Sequence, residues 1–153
     1  MKHRGASIIF YNSFQQVLLV LRDDLPSISC PGMWDLPGGH IEHDETPAEC
    51  IVREMLEEIE VNTEGCELFR IYEFADRTEY VFLKPAEFEL QNMVLHEGQM
   101  LRWFSREEAE QENLAYGFNQ VLSDYFNSFF KFTVSSQETV QRPLPPCSLF
   151  QRQ

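Results

Sequence analysis

Apolar residues in the first part of the chain fall in short unbroken blocks rather than at helical spacing. Residues 5–11 (GASIIFY) and 17–21 (VLLVL) are β-branched and aliphatic runs separated by Asn12-Ser13, a pattern that predicts a hairpin or two neighbouring strands. The second run lacks polar alternation and reads as buried on both faces. Residues 22–34, RDDLPSISCPGMW, are rich in Pro, Ser, Gly and Asp and predict a loop. It leads into the short segment WDLPGG, which Pro37 keeps extended.

Further along, LFRIYEFA and TEYVFLKP flank Asp76-Arg77 with strand composition, MLRWFS reads as another short strand, and SREEAEQENL reads as a short helix. In GFNQVLSDYFNSFFKF the apolar positions Phe118, Val121, Leu122, Tyr125, Phe126 and Phe129 recur at helical spacing. That predicts a C-terminal amphipathic helix whose aromatic residues are core, with a homodimer as a second use of the same surface. Beyond it, residues 135–153 carry Pro, Gln and Ser without apolar period, so the expected organisation is one domain over residues 1–134 and an extended or mobile tail.

A helix start is marked by Thr46 as N-cap, Pro47 at the first helical position and Glu49 completing a capping box. Along this helix Ala48, Ile51, Val52, Met55, Leu56 and Ile59 form an apolar stripe. At about 100° per residue, Glu57 and Glu58 lie roughly 60° and 40° to either side of Glu54. Like charges at such spacing cost roughly 0.2–0.5 kcal/mol per pair. Arg53, four residues before Glu57, offsets part of this, but one cation cannot neutralise three carboxylates. Oxygen donors gathered in this way suit a hard divalent ion, Mg²⁺ or Mn²⁺, finished by substrate phosphates. The plainer reading is a solvated acidic face.

Charge narrows the partners. With 25 acidic against 12 basic residues among 153, the formal net charge is -13, and no Lys/Arg run offers a track for polymeric nucleic acid. A small phosphate-bearing ligand stays compatible if divalent cations screen the repulsion. Cys30, Cys50, Cys66 and Cys147 form no C-x-x-C pair, which argues against zinc and against a disulfide framework. No segment is apolar enough to span a bilayer and the N-terminal apolar patch is too short for a signal peptide, so a soluble, cytoplasmic protein is expected.

Gly39, Glu45, Arg53-Glu54, Met55, Glu57-Glu58 and Val61, at their observed separations, resemble the signature of the Nudix hydrolases. One position departs: Glu60 stands where the signature has glycine. Because a non-glycine residue resists left-handed backbone by about 1 kcal/mol, the helix is expected to run on toward Asn62 or Gly65. The resemblance implies an α/β (α+β) fold, a Nudix-type α/β/α sandwich with a mixed β-sheet between helices. It also implies hydrolysis of a nucleoside diphosphate linkage by metal-assisted attack of water on phosphorus, releasing a nucleoside monophosphate from a nucleoside triphosphate or related derivative. The alternative is a Nudix-like module that senses nucleotides without turnover.

Carried over residue by residue, the Gly38 carbonyl, Glu54, Glu57 and Glu58 resemble metal ligands, with Glu54 also a candidate general base. Arg53 and Glu45 resemble a scaffold pair and Gly39 the first signature glycine. Glu97 resembles a carboxylate that some relatives bring from outside the signature, with plain surface charge as its other reading. Asn119 resembles a base-reading amide, or serves as a plain N-cap. Independently of the resemblance, Arg22 can reach a substrate phosphate through bidentate contacts or pair with Asp23 or Asp24.

Overall fold

The structure is a computed structural model that describes residues 2–128. Its strands are β1 (His3–Tyr11), β2 (Val17–Leu21), β3 (Trp34–Asp35), β4 (Gly38–His40), β5 (Glu67–Glu73), β6 (Arg77–Pro85) and β7 (Met100–Phe104). The helices α1 (Pro47–Ile59) and α2 (Arg106–Glu110) are joined by 3₁₀ turns at Leu90–Asn92 and Ala115–Gly117, and residues 118–128 are helical. The chain forms two compact units, Met1–Asn119 and a second from Gln120 onward. The boundary expected between residues 134 and 135 lies outside the described residues.

All strands join one sheet in the order β3-β2-β1-β6-β5, with β4 paired to β1 and β7 to β2. β1 and β6 are parallel from His3↔Arg77 to Tyr11↔Pro85, while the other pairings are antiparallel. The fold is therefore mixed α/β with a mixed sheet, as the sequence led one to expect. β1 and β2 are neighbours but pair at Tyr11↔Val17, and β2 spends most of its length against β7. Full burial of β2 is corrected as well: Val17, Leu18 and Leu19 are fully buried, whereas Val20 and Leu21 are partly exposed.

The capping box of α1 forms, with Thr46 accepting from the Glu49 N–H and the Glu49 carboxylate accepting from the Thr46 N–H. Ile51, Met55 and Ile59 bury one stripe against β1 and β4, packing with Ile8, Phe10, Leu18 and Phe82. Each such side chain contributes roughly 1.5–3 kcal/mol, so Met55→Ala would cost about 2–5 kcal/mol. Leu56 does not belong to that stripe: it lies roughly 140° from Ile51 around the helix and is 48% exposed.

The helix stops at Ile59, not near Asn62 or Gly65. Glu60 itself takes left-handed backbone (φ 57°, ψ 37°) and its N–H closes onto the Met55 carbonyl, as does that of Val61 at 3.2 Å. The glycine-like exit survives without glycine. No helix among the described residues is long and apolar enough to cross a membrane.

Candidate active site

The site begins at β4, squeezed between β1 and α1. A Cβ on Gly38 would lie 2.1 Å from the Ala6 carbonyl oxygen, and one on Gly39 would lie 2.3 Å from the Glu54 carboxyl carbon. Glycine at both positions lets a strand backbone approach the carboxylate face of α1 directly. Gly38 and Gly39, with Arg22, Arg53, Glu54, Glu58 and Glu97, line one cavity of about 520 Å³.

Arg53 organises the rim. Its Nε donates to Glu45 Oε2 at 3.0 Å and its Nη2 to Glu45 Oε1 at 2.6 Å, a two-pronged pair. The same guanidinium reaches Glu54 Oε1 at 2.9 Å, the His40 carbonyl at 3.1 Å and Glu57 Oε2 at 3.4 Å. Hydrogen bonds from Arg53 hold the Glu45 carboxyl down at about 2, and the bond to Glu45 in turn holds Arg53 charged more firmly than usual. Cys50 sits behind this pair, fully buried, its Sγ 3.4 Å from the His40 carbonyl oxygen. Burial and the nearby Glu45 push its thiol up to about 12, so it is a spacer and not a nucleophile.

The remaining carboxylates of α1 are left short of positive charge. Burial, then a hydrogen bond with Glu54, then the charges of Glu54, Glu97 and Asp35 push Glu58 up to about 9. Burial and the neighbouring acids thus favour the neutral form of Glu58 in the metal-free chain. Glu57 is more open, with a side chain 60% exposed, and stands outside the cavity lining, tied to the cluster through Arg53.

Other predicted residues take less direct positions. Glu97 reaches the cavity from the loop before β7. Arg22 lines it too, but pairs with neither Asp23 nor Asp24: its Nη1 donates to Asp35 Oδ2 at 3.0 Å and its Nε to the Ser29 carbonyl at 3.0 Å. Asn119 is not in the lining; its amide accepts from the Leu114 N–H at 2.9 Å and donates to the Glu112 carbonyl at 2.7 Å, bracing that loop.

Sequence reasoning missed a second ionic group in the same cavity, built from Asp35, Arg77 and Glu79 together with Arg22 and walled by Tyr116 and Phe118. Asp35 is 6% exposed, and burial pushes it up to about 6 against the opposing Arg22. Glu79 is 5% exposed and pushed up to about 7 by burial, against Arg77 at 3.4 Å. Arg77 donates to the Tyr116 carbonyl at 2.9 Å and lies over the Phe74 ring at 4.3 Å. The signal was present in β6, where Arg77 and Glu79 alternate in phase with buried Val81.

Among the described residues, no three His, Cys, Asp or Glu side chains are already gathered as a metal-holding group. The donor chemistry nevertheless fits a hard divalent ion. Glu54, Glu58 and Glu97 offer carboxylate oxygens in one cavity, beside a glycine backbone, and Mg²⁺ takes one or two carboxylates while keeping water and substrate phosphates. A cation at Glu54 and Glu58 would relieve the repulsion that helps to raise Glu58.

Residues 1–125 match the NUDIX domain, and the chain belongs to that family. A Bacillus subtilis protein provisionally named 8-oxo-dGTP diphosphatase is 45% identical over 62 residues, 40% of this chain and 38% of that protein. An RNA pyrophosphohydrolase of Gluconacetobacter diazotrophicus is 36% identical over 59 residues, 37% of this chain and 35% of that one. These matches span well under half the length of either relative. A solved MutT structure, from work on Aliivibrio salmonicida and Vibrio cholerae, superposes with a TM-score of 0.67 at 22% identity, covering 81% of this chain and 96% of that one. That likeness is one of fold.

Proposed function

We propose that this chain is a metal-dependent Nudix pyrophosphohydrolase that cleaves the diphosphate linkage of a small nucleotide, a nucleoside triphosphate or related derivative, and releases a nucleoside monophosphate. The observation that carries this reading is the gathering of Glu54, Glu58 and Glu97 beside the Gly38–Gly39 backbone in one cavity of about 520 Å³. Part-buried carboxylates that face one cavity repel one another unless a cation sits among them. The names of the relatives, 8-oxo-dGTP diphosphatase and RNA pyrophosphohydrolase, support breakage of a phosphoric anhydride.

Glu54, Glu57, Glu58 and the Gly38 carbonyl would hold Mg²⁺ or Mn²⁺, with Glu97 as a further donor. When bound there, the ion supplies positive charge against phosphoryl oxygens as they gain negative charge. The chain's own groups do the rest. Glu54 is held by Arg53 at 2.9 Å on the cavity wall, where its carboxylate can take the proton of the attacking water. Arg53, fixed by Glu45, keeps that carboxylate from turning away. Arg22 presents to the cavity the guanidinium edge that Asp35 and Ser29 leave free, which suits a phosphate of the substrate. The Tyr116 and Phe118 rings supply an apolar wall against which a planar base can lie. Asn119, with both ends of its amide engaged, braces the loop that carries those rings.

The test is an assay with Mg²⁺ against nucleoside triphosphates, dinucleoside polyphosphates, nucleotide sugars and a 5′-triphosphorylated oligoribonucleotide, scoring pyrophosphate against phosphate release. Pyrophosphate and a nucleoside monophosphate from a free nucleotide are expected. Binding without turnover of any of them would instead favour a nucleotide sensor.

A further inference from the structure

Glu60 is the residue at which this chain departs from its family's signature, and its backbone is unfavourable there. It holds φ 57° as a non-glycine residue at the exit of α1. A residue kept in strained backbone needs a use for its side chain. The Glu60 carboxylate Oε2 meets His96 Nε2 at 3.0 Å, a bond that a neutral imidazole can also donate. The His96 N–H donates to the Glu58 carbonyl at 2.8 Å. The loop before β7 is therefore tied to the last turn of α1 through both backbone and side chain.

The residue after His96 is Glu97, which lines the cavity and bears on Glu58 by its charge. Downstream the loop is fastened to β2: the Gln99 N–H donates to the Leu21 carbonyl and its side-chain Nε2 to the Arg22 carbonyl, both at 2.8 Å. Gly98 packs so closely on β2 that a Cβ would lie 2.8 Å from Val20 Cγ2. Glu97 hangs between two anchors, and the one nearer the α1 carboxylates depends on Glu60.

We propose that Glu60 is a positioning residue: through His96 it docks the loop that carries Glu97 onto the end of α1, so that Glu97 faces Glu58 across the cavity. This rests on the reading of Glu97 as part of the site. A glycine in the same place would end the helix with less strain and leave the loop on its single upstream backbone bond.

The test separates the two consequences by making them move in opposite directions. E60G relieves the backbone and should melt roughly 3 °C higher, while its kcat falls about fivefold with KM little changed, as for loss of one half-exposed pair. E60Q, whose amide can still bond His96, should keep most of the activity. H96A should lose as much kcat as E60G without the gain in melting temperature, and E60G/H96A should be no slower than E60G. The apparent Mn²⁺ affinity of the metal-free full chain, read by electron paramagnetic resonance, should weaken in E60G and in E97Q. Wild-type kcat and Mn²⁺ affinity in E60G would overturn the proposal, as would additive losses in the double variant or an E97Q variant indistinguishable from wild type. If wild type cleaves no diphosphate compound, the hydrolase reading fails by itself, and the Mn²⁺ affinities alone decide the role of Glu60.

Discussion

Two sets of carboxylates share the cavity, and they are balanced differently. On the Asp35–Glu79 side each buried acid has a guanidinium: Arg22 at 3.0 Å from Asp35 and Arg77 at 3.4 Å from Glu79. On the α1 side, Arg53 alone among the described residues pairs with Glu45, Glu54 and Glu57, and no described cation pairs with Glu58. The consequence appears in how far each acid is driven: up to about 6 for Asp35 and about 7 for Glu79, but about 9 for Glu58. Burial is the leading cause in all of them, so the difference lies in the compensating charge. In the first set each acid has its own guanidinium, although Asp35 Oδ1 is left without a hydrogen-bond partner. The second has no such partner for Glu58 among the described residues.

The largest effect that would sharpen this contrast is kinetic. Glu54→Gln and Glu58→Gln should each lower kcat by roughly 10²- to 10⁴-fold, while metal-free Glu58→Gln unfolds at or above the wild-type temperature because its amide replaces a carboxyl that burial already holds neutral. Steady-state assays with Mg²⁺ and thermal melts in chelator check both halves, and unchanged turnover would remove these residues from the site.

On the other side the effect should be on stability. Arg77→Ala leaves Glu79 buried without its cation, at a cost of about 3 kcal/mol in urea unfolding at pH 8. The cost should shrink near pH 6, where Glu79, already raised to about 7, takes up a proton instead. A loss that is the same at both pH values would mean that Arg77 acts through its packing on Phe74 alone.

The pH dependence of the metal-free fold follows from the raised acids. A carboxyl whose folded value lies above its unfolded value contributes stability at low pH and loses it as pH rises through the folded value. Asp35, Glu79 and Glu58 should therefore make the melting temperature fall progressively from about pH 4, the decline easing as pH passes about 6, about 7 and about 9. Saturating Mg²⁺, or Glu58→Gln, should abolish the decline between about pH 7 and about 9 and make the fall at lower pH shallower. Glu45 works in the opposite sense: held at about 2, it contributes above the ordinary carboxylate range and is lost only in strong acid.

The smallest effect is expected at Glu57. Its side chain is 60% exposed and its i,i+4 contact with Arg53 is 3.4 Å, so Glu57→Gln should change metal-free stability by no more than about 0.5 kcal/mol. Turnover should still drop by orders of magnitude if Glu57 is a ligand, and calorimetry beside kinetics separates the two.

Much of this was legible in the sequence because it is local. The Thr46 to Glu49 capping box, the strand VLLVL and the other strand segments along the chain are set by neighbouring residues, and the glutamate spacing on α1 follows from helix geometry alone. What could not be read depends on pairing across the sheet. Asp35 on β3 and Glu79 on β6 meet one cavity only because β3, β2, β1 and β6 are laid side by side, and no window along the chain contains both. Leu56 was misplaced because an apolar residue at the margin of a stripe can face either way. The exit at Glu60 was misjudged because intrinsic preference was weighed without its partner His96, thirty-six residues away. Residues 135–153 lie outside the described part, so the expected tail stays an expectation.

The central claim is that a divalent cation binds among Glu54, Glu58 and Glu97, where it would displace a proton from the raised carboxyl of Glu58. Titrating Mn²⁺ into the metal-free chain near pH 7, by calorimetry in two buffers of different ionisation enthalpy, measures it directly. Binding should release roughly one proton in the wild type and close to none in Glu58→Gln. Binding with no proton release in the wild type, or no Mn²⁺ binding at all, would contradict it.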